Sequence, residues 1–140
     1  MPVFIPKEPT TVLIVENEAI LRMELTDRLA AMGLTVLSAA GADEAIALLD
    51  AHPEITVLMT DVKMPGSMDG ARLARHARDR WPPLKIIVAS GMPDAALADL
   101  PIGALVLPKP FWPEALSDAL DQVINGGAPR APRRVAGAGA

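Results

Sequence analysis

Side chains able to do chemistry recur directly after short apolar runs. Glu16, Asn17 and Glu18 follow Thr11–Val15. Asp61 follows Ile55–Thr60 and is itself followed by Val62-Lys63-Met64-Pro65-Gly66. Ser90 and Gly91 follow Lys85–Ala89, and Pro108, Lys109, Pro110 and Phe111 follow Ala104–Leu107. Gathered on one rim, the carboxylates and the amide make a cation site beside a carboxylate nucleophile. The hydroxyl and the ammonium flank it as groups that hold an anion. Oxygen ligands without His or Cys nearby favour a hard divalent ion such as Mg²⁺. A carboxylate next to such an ion and a lysine can attack phosphorus and form an acyl phosphate. The metal and the lysine then neutralise charge on the transferring group.

The runs that precede these residues must position them. Together with Leu34–Ser38 they make five apolar segments rich in β-branched residues, several of them without polar alternation. Strands buried on both faces read this way, which is the habit of a parallel sheet. Between them the apolar residues fall at helical spacing. Leu21, Leu25, Leu29 and Met32 form one stripe, Ala45, Leu48 and Leu49 a second, and Leu73, Ala77 and Trp81 a third. Leu116, Leu120, Val123 and Ile124 form the last. Gly33 stands where a helix C-terminus wants glycine, Asp69-Gly70 can cap the third helix, and Gly126 can stop the last. Five β-α units in series predict an α/β fold of three layers, a doubly wound parallel sheet between helices, joined by right-handed crossovers. In such sheets ligands bind at the carboxyl ends of the strands, which is where the chemistry-bearing residues lie.

Composition sets limits on the rest. The chain of 140 residues suits one ordinary domain, and 51% hydrophobic residues suffice for its core. Cysteine is absent, so disulfides, thiolate metal sites and cysteine nucleophiles are excluded, and a cytoplasmic setting is expected. A net charge of −4 with 3% aromatic residues argues against nucleic-acid binding. No apolar run has the length of a membrane span, and the N-terminus lacks the apolar core of a secretion signal. We divide the chain into an N-terminal extension (1–9), one folded domain (10–125) and a flexible tail (126–140). That tail holds four Gly, five Ala, two Pro and three Arg with no acid, too little apolar bulk to offset its ordering entropy.

At the strand-end residues the sequence resembles the CheY-like receiver domain of two-component response regulators, from about Thr10 to Asn125. The resemblance rests on Val15-Glu16-Asn17-Glu18, on Asp61 with Met64-Pro65-Gly66 and Met68-Asp69-Gly70, on Ser90-Gly91, and on Lys109-Pro110-Phe111, in that order. It implies a flavodoxin-like (βα)5 fold with strand order 2-1-3-4-5, here in a single-domain response regulator. It further implies that Asp61 is the phosphoacceptor, served by a histidine kinase or phosphotransfer protein. Mg²⁺ would be held by Asp61, by Asn17, by the backbone carbonyl of Lys63 and through water by Glu16. Ser90 would hydrogen-bond the phosphoryl group and Lys109 would pair with its charge, with Gly91, Met64 and Pro65 at the site mouth. The Lys109–Pro110 bond is usually cis in this family. No turnover is expected beyond gain and loss of the phosphoryl group.

Two residues depart from the family pattern. Asn17 stands where the family normally has an aspartate ligand. One charge pair at about 4 Å is worth ~1 kcal/mol in water and ~4 kcal/mol at intermediate dielectric. Mg²⁺ affinity is therefore expected to fall by roughly one to two powers of ten. Val106 stands where the family usually carries a rotating Tyr or Phe. The segment Met92–Pro101, bounded by prolines, allows a helix of only about two turns.

Blander roles accompany the sharp ones. Asp61 can be a buried structural acid, Ser90 a helix cap, Lys109 a solvated lysine and Glu18 a cap or first-turn acid of the first helix. His52 and His76 read as surface residues, Trp81 as a cover for the core, and Trp112 as a residue near a partner surface. P-loop, dinucleotide and G-x-S-x-G signatures are absent. Two functions remain. One is a phosphoryl-accepting regulator that changes its binding to a downstream protein or acts as a phosphate sink. The other is a phosphorylation-independent pseudo-receiver that serves as an interaction module. Dimerisation stays open, and neither nucleic acid nor membrane is expected as a partner.

Overall fold

The computed structural model describes residues 9–62, 69–91 and 100–126 and the backbone of 133–134. In chain order the elements are β1 (Thr11–Val15), α1 (Ala19–Ala31), β2 (Thr35–Ala39), α2 (Ala42–Ala51), β3 (Ile55–Asp61), α3 (Gly70–Arg80), β4 (Lys85–Ser90), β5 (Leu105–Pro108), α4 (Pro113–Asn125) and β6 (Arg133–Arg134). The first five strands pair in parallel in the order β2-β1-β3-β4-β5. This is the flavodoxin-like arrangement that the resemblance implies. The short helix expected over Met92–Pro101 falls mostly on residues 92–99, outside the described residues.

The strands that read as apolar throughout are buried on both sides. Val12, Leu13, Ile14 and Val15 of β1 are each at most 1% exposed. Alternation sends their side chains to two separate cores. On one face Val12, Ile14, Val57, Met59, Ile87, Leu105 and Leu107 pack against Leu25 and Leu29 of α1 and Leu116 and Leu120 of α4. On the other, Leu13, Val15, Leu58, Ile86, Val88 and Val106 pack against Ala45 and Leu49 of α2 and Leu73, Ala74 and Ala77 of α3. The predicted stripes are the faces that these helices bury.

Helix boundaries follow local chemistry. Gly33, at φ +89°, ends α1 in the left-handed region. Its N–H donates to the Ala30 carbonyl (3.0 Å) and the Leu34 N–H to the Leu29 carbonyl (3.3 Å), a Schellman closure. The Asp69 side chain caps α3 by accepting from the Arg72 N–H at 2.9 Å. Pro113 begins α4, where a missing N–H costs nothing. Trp81 covers the end of α3, with His76 edge-on to it at 6.3 Å between centroids. His76 is thus half-buried against an aromatic ring and not the surface residue expected.

Two observations go beyond the sequence-based expectations. Asp61 and Ser90, expected just past their strands, are the last residues of β3 and β4, in register with Ala89 and Pro108. Within the segment expected to be a flexible tail, Arg133 and Arg134 pair in parallel with Leu105 and Val106. Because α4 lies on the α1 face, this last crossover is left-handed, the rare hand for a β-α-β connection.

One glycine is a steric requirement of the fold. The Gly70 N–H donates to the Val62 carbonyl at 2.7 Å, which presses the start of α3 onto the end of β3. A Cβ on Gly70 would collide with the Asp61 carbonyl oxygen and come within 2.8 Å of Val62 Cα. At Gly41 nothing lies within 4 Å of such a Cβ. We therefore expect Gly70→Ala to cost ~1–3 kcal/mol in urea unfolding, and Gly41→Ala to stay within ~0.5 kcal/mol of the parent. Equal losses at the two sites would refute the steric argument.

Candidate functional site

Strand alternation decides which predicted residues meet. Asp61 follows Val57 and Met59 at two-residue steps, Lys109 follows Leu105 and Leu107, and Glu16 follows Val12 and Ile14. All three therefore fall on the α1 and α4 face, at the carboxyl ends of their strands. Ser90 is the last residue of β4, directly after Ala89, which lines the same cavity as Asp61.

The three residues on the first face form one charged cluster. Lys109 Nζ lies 3.2 Å from Asp61 Oδ2 and 3.6 Å from Glu16 Oε1. The Glu16 side chain is 3% exposed and that of Asp61 13%. Two carboxylates so far from water need a counter-charge, and the ammonium between them supplies it. Glu16 is tied down through its main chain and its carboxylate alike. Its N–H donates to the Ala39 carbonyl at 3.0 Å, and its Oε2 accepts from the Glu18 N–H at 3.0 Å. Its carbonyl accepts from Arg22 Nη1 at 2.7 Å. Glu18 is the N-cap residue of α1 by backbone position, but its side chain makes no capping bond. The Glu16 carboxylate instead holds the N–H of this N-cap residue.

Lys109 is held through its main chain as well. Its N–H donates to the Ser90 carbonyl at 2.8 Å, and its bond to Pro110 is cis, as expected. Ser90 is buried at 3% exposure. A Cβ on Gly91 would touch Lys109 Cβ at 3.8 Å, so this position is open enough for a side chain. Asn17 is exposed at the rim of the acidic turn. Lys63, Met64 and Pro65 lie outside the described residues. Val106, in place of the family's aromatic residue, is 2% exposed in the α2 and α3 core.

A cavity of about 580 Å³ opens onto the cluster. Its floor is Ile14, Met59 and Ala89, and its walls are α1, at Leu21 and Leu25, and Phe111 with Pro113. Glu16, Asp61 and Lys109 sit at one end. The donor set fits a hard divalent cation in kind, with the two carboxylates of Glu16 and Asp61 and an amide oxygen in the turn that carries Glu16. It is one carboxylate poorer than the family pattern. Among the described residues no group of three or more His, Cys, Asp or Glu side chains is placed to hold a metal ion. No described helix is long and apolar enough to cross a membrane.

Three residues that shape the site were given no such role by the sequence, although Gly70 closes the Met68-Asp69-Gly70 motif. Arg22 holds the Glu16 carbonyl, Gly70 packs on the Asp61 carbonyl, and the Thr60 hydroxyl donates to that same carbonyl at 3.0 Å. Each acts on main-chain atoms. Only the four-residue spacing of Arg22 from Glu18 in a helix hints that it lies over the acidic turn.

Known proteins share this sequence pattern and fold. A family model for the response regulator receiver domain matches residues 12–121. The sensor kinase CckA of Brucella abortus (strain 2308) is 36% identical over 119 residues, which is 82% of this chain but 12% of that protein. The chain thus spans a small part of that relative's length. The response regulator receiver protein CpdR of the same organism is 33% identical over 116 residues, 81% of this chain and 95% of CpdR. The crystal structure of a response regulator receiver protein from Sinorhizobium medicae WSM419 superposes with a TM-score of 0.77 at 29% identity, over 84% of this chain and 96% of that one. The chain belongs to the response regulator receiver domain family of two-component signalling.

Proposed function

We propose that this receiver domain accepts a phosphoryl group on Asp61 and uses the change to alter its binding to a downstream protein or to drain phosphate from its donor. The donor would be a histidine kinase or phosphotransfer protein, and the setting cytoplasmic. The observation that carries the reading is Lys109 Nζ, 3.2 Å from Asp61 Oδ2 at the end of an open cavity. An ionised Asp61 oxygen attacks phosphorus in line with the leaving imidazole nitrogen. The P–N bond breaks as the P–O bond forms, and the imidazole departs with a proton from solvent. Lys109 shifts its charge from the carboxylate toward the incoming phosphoryl oxygens. Bound Mg²⁺ would neutralise the remaining charge on the transferring group, held by Asp61, Asn17 and the Lys63 carbonyl and through water by Glu16. Ser90, the last residue of β4, would hydrogen-bond the phosphoryl group.

Apolar side chains suited to a protein partner are exposed on α1 and beside Lys109-Pro110-Phe111. Ile20 and Met23, one turn apart on α1, are 75% and 65% exposed, and Trp112 between Phe111 and Pro113 is 65% exposed. Receiver domains are signalling modules, and no catalysis beyond this self-modification is proposed.

A second reading, the phosphorylation-independent interaction module, is favoured by Asn17 and by the fully buried Val106, which together remove a charged ligand and the usual aromatic switch. Intact-mass spectrometry after incubation with acetyl phosphate separates the two. We expect one phosphoryl adduct that requires Mg²⁺ and is lost in Asp61→Ala. A folded sample that gains no adduct at any Mg²⁺ concentration would support the second reading. The metal site has its own test. Asn17→Asp restores one negative charge, and we expect the Mg²⁺ concentration for half-maximal labelling to fall by about tenfold to a hundredfold.

A further inference from the structure

The acidic turn between β1 and α1 is braced by a residue with no assigned part in the chemistry. Arg22 lies on the first full turn of α1, half-buried, and its Nη1 donates to the Glu16 carbonyl at 2.7 Å. Its own N–H donates to the Glu18 carbonyl at 2.9 Å. The Glu16 carboxylate closes the same turn from the other side by accepting from the Glu18 N–H at 3.0 Å. Residues 16–18 are thus clamped between a guanidinium on the main chain and a carboxylate on the helix start. This turn carries both the buried acid and the exposed Asn17.

We infer that Arg22 is a positioning residue for the cation site, one that fixes the Glu16–Asn17 turn so that a neutral amide can serve where a charged ligand is missing. The inference rests on the metal-assisted reading of the site. Its physical basis is that a ligand with little charge depends on being held in place before the ion arrives. A floppy amide loses its conformational freedom at the moment of binding, and that loss subtracts from affinity. Residues that orient ligands from behind typically change metal affinity by about tenfold to a hundredfold when removed. The opposite effect is also physically available. Arg22 carries a positive charge near the acidic turn, and if that charge acted mainly by repulsion, removing it would tighten metal binding. The two effects differ in sign, so one measurement decides between them.

The experiment is a Mg²⁺ titration of the full chain followed by amide NMR shifts of residues 16–19 and 61. It compares Arg22→Ala and Arg22→Lys in both the parent and the Asn17→Asp background, with thermal unfolding of each. Positioning predicts that Arg22→Ala weakens Mg²⁺ binding by about tenfold, and that Arg22→Lys, which keeps a donor able to reach the carbonyl, recovers most of the loss. The loss should be larger in the parent than in the Asn17→Asp background, because the neutral ligand leans more on the clamp. Unchanged Mg²⁺ affinity with only a lowered melting temperature would overturn the inference by making Arg22 a helix brace alone. Tighter binding in Arg22→Ala would overturn it in favour of charge repulsion. Neither of those results touches the phosphoacceptor reading. Failure of the Asn17→Asp variant itself to bind Mg²⁺ would overturn the inference and the metal part of that reading together, while acetyl phosphate labelling of Asp61 would remain a separate test.

Discussion

The contact on which the site depends is the ammonium of Lys109 between the carboxylates of Asp61 and Glu16. Two acids at 13% and 3% side-chain exposure repel each other and lose hydration. Without a cation the pair would strongly oppose burial. A lysine reaching from a nearby strand end solves this locally, and it does so only if the strands stop at the same level. The parallel sheet supplies that level to within about a residue, since Val15 pairs with Thr60, Asp61 with Ala89 and Ser90 with Pro108 at the strand ends. The fold and the charge cluster are thus one constraint seen at two scales.

The surrounding packing keeps that row in place. Both faces of the sheet are sealed by helices, with α1 and α4 on one side and α2 and α3 on the other. The helix starts press close to the carboxyl ends of the strands. Gly70 allows α3 to begin against the Asp61 carbonyl, and the Glu16 carboxylate at once holds the N–H of Glu18 at the start of α1 and pairs with Lys109. A residue shared between a helix end and a charge cluster couples the two, because moving one strains the other.

The departures from the family pattern all lie where the site would sense and transmit change. Asn17 lowers the negative charge of the turn. Val106 fills the core position beneath the α3 layer with no ring to swing outward. The edge of β5, bare at the end of a five-stranded sheet, pairs with Arg133 and Arg134 through a crossover of the less favoured hand. Asn17 alters the charged end of the sheet itself, whereas Val106 and the added strand alter the β5 side of the sheet.

Local pattern alone was enough for the fold class, for the strand order through the resemblance to receivers, and for the identity of the residues at each strand end. The physical reason is that apolar runs, helical stripes and caps are short-range features, and a site at the carboxyl ends of a parallel sheet follows from their order. Asp61, Lys109 and Glu16 were legible in this way. The face that each one joins was set by long-range pairing. Whether a strand ends at residue 60 or 61, or at 89 or 90, depends on its neighbours in the sheet. The folded chain also assigned the work of Arg22, Gly70 and Thr60. Each of them acts on a main-chain carbonyl, a group present at every position, so no pattern of side-chain types marks the partner it will meet.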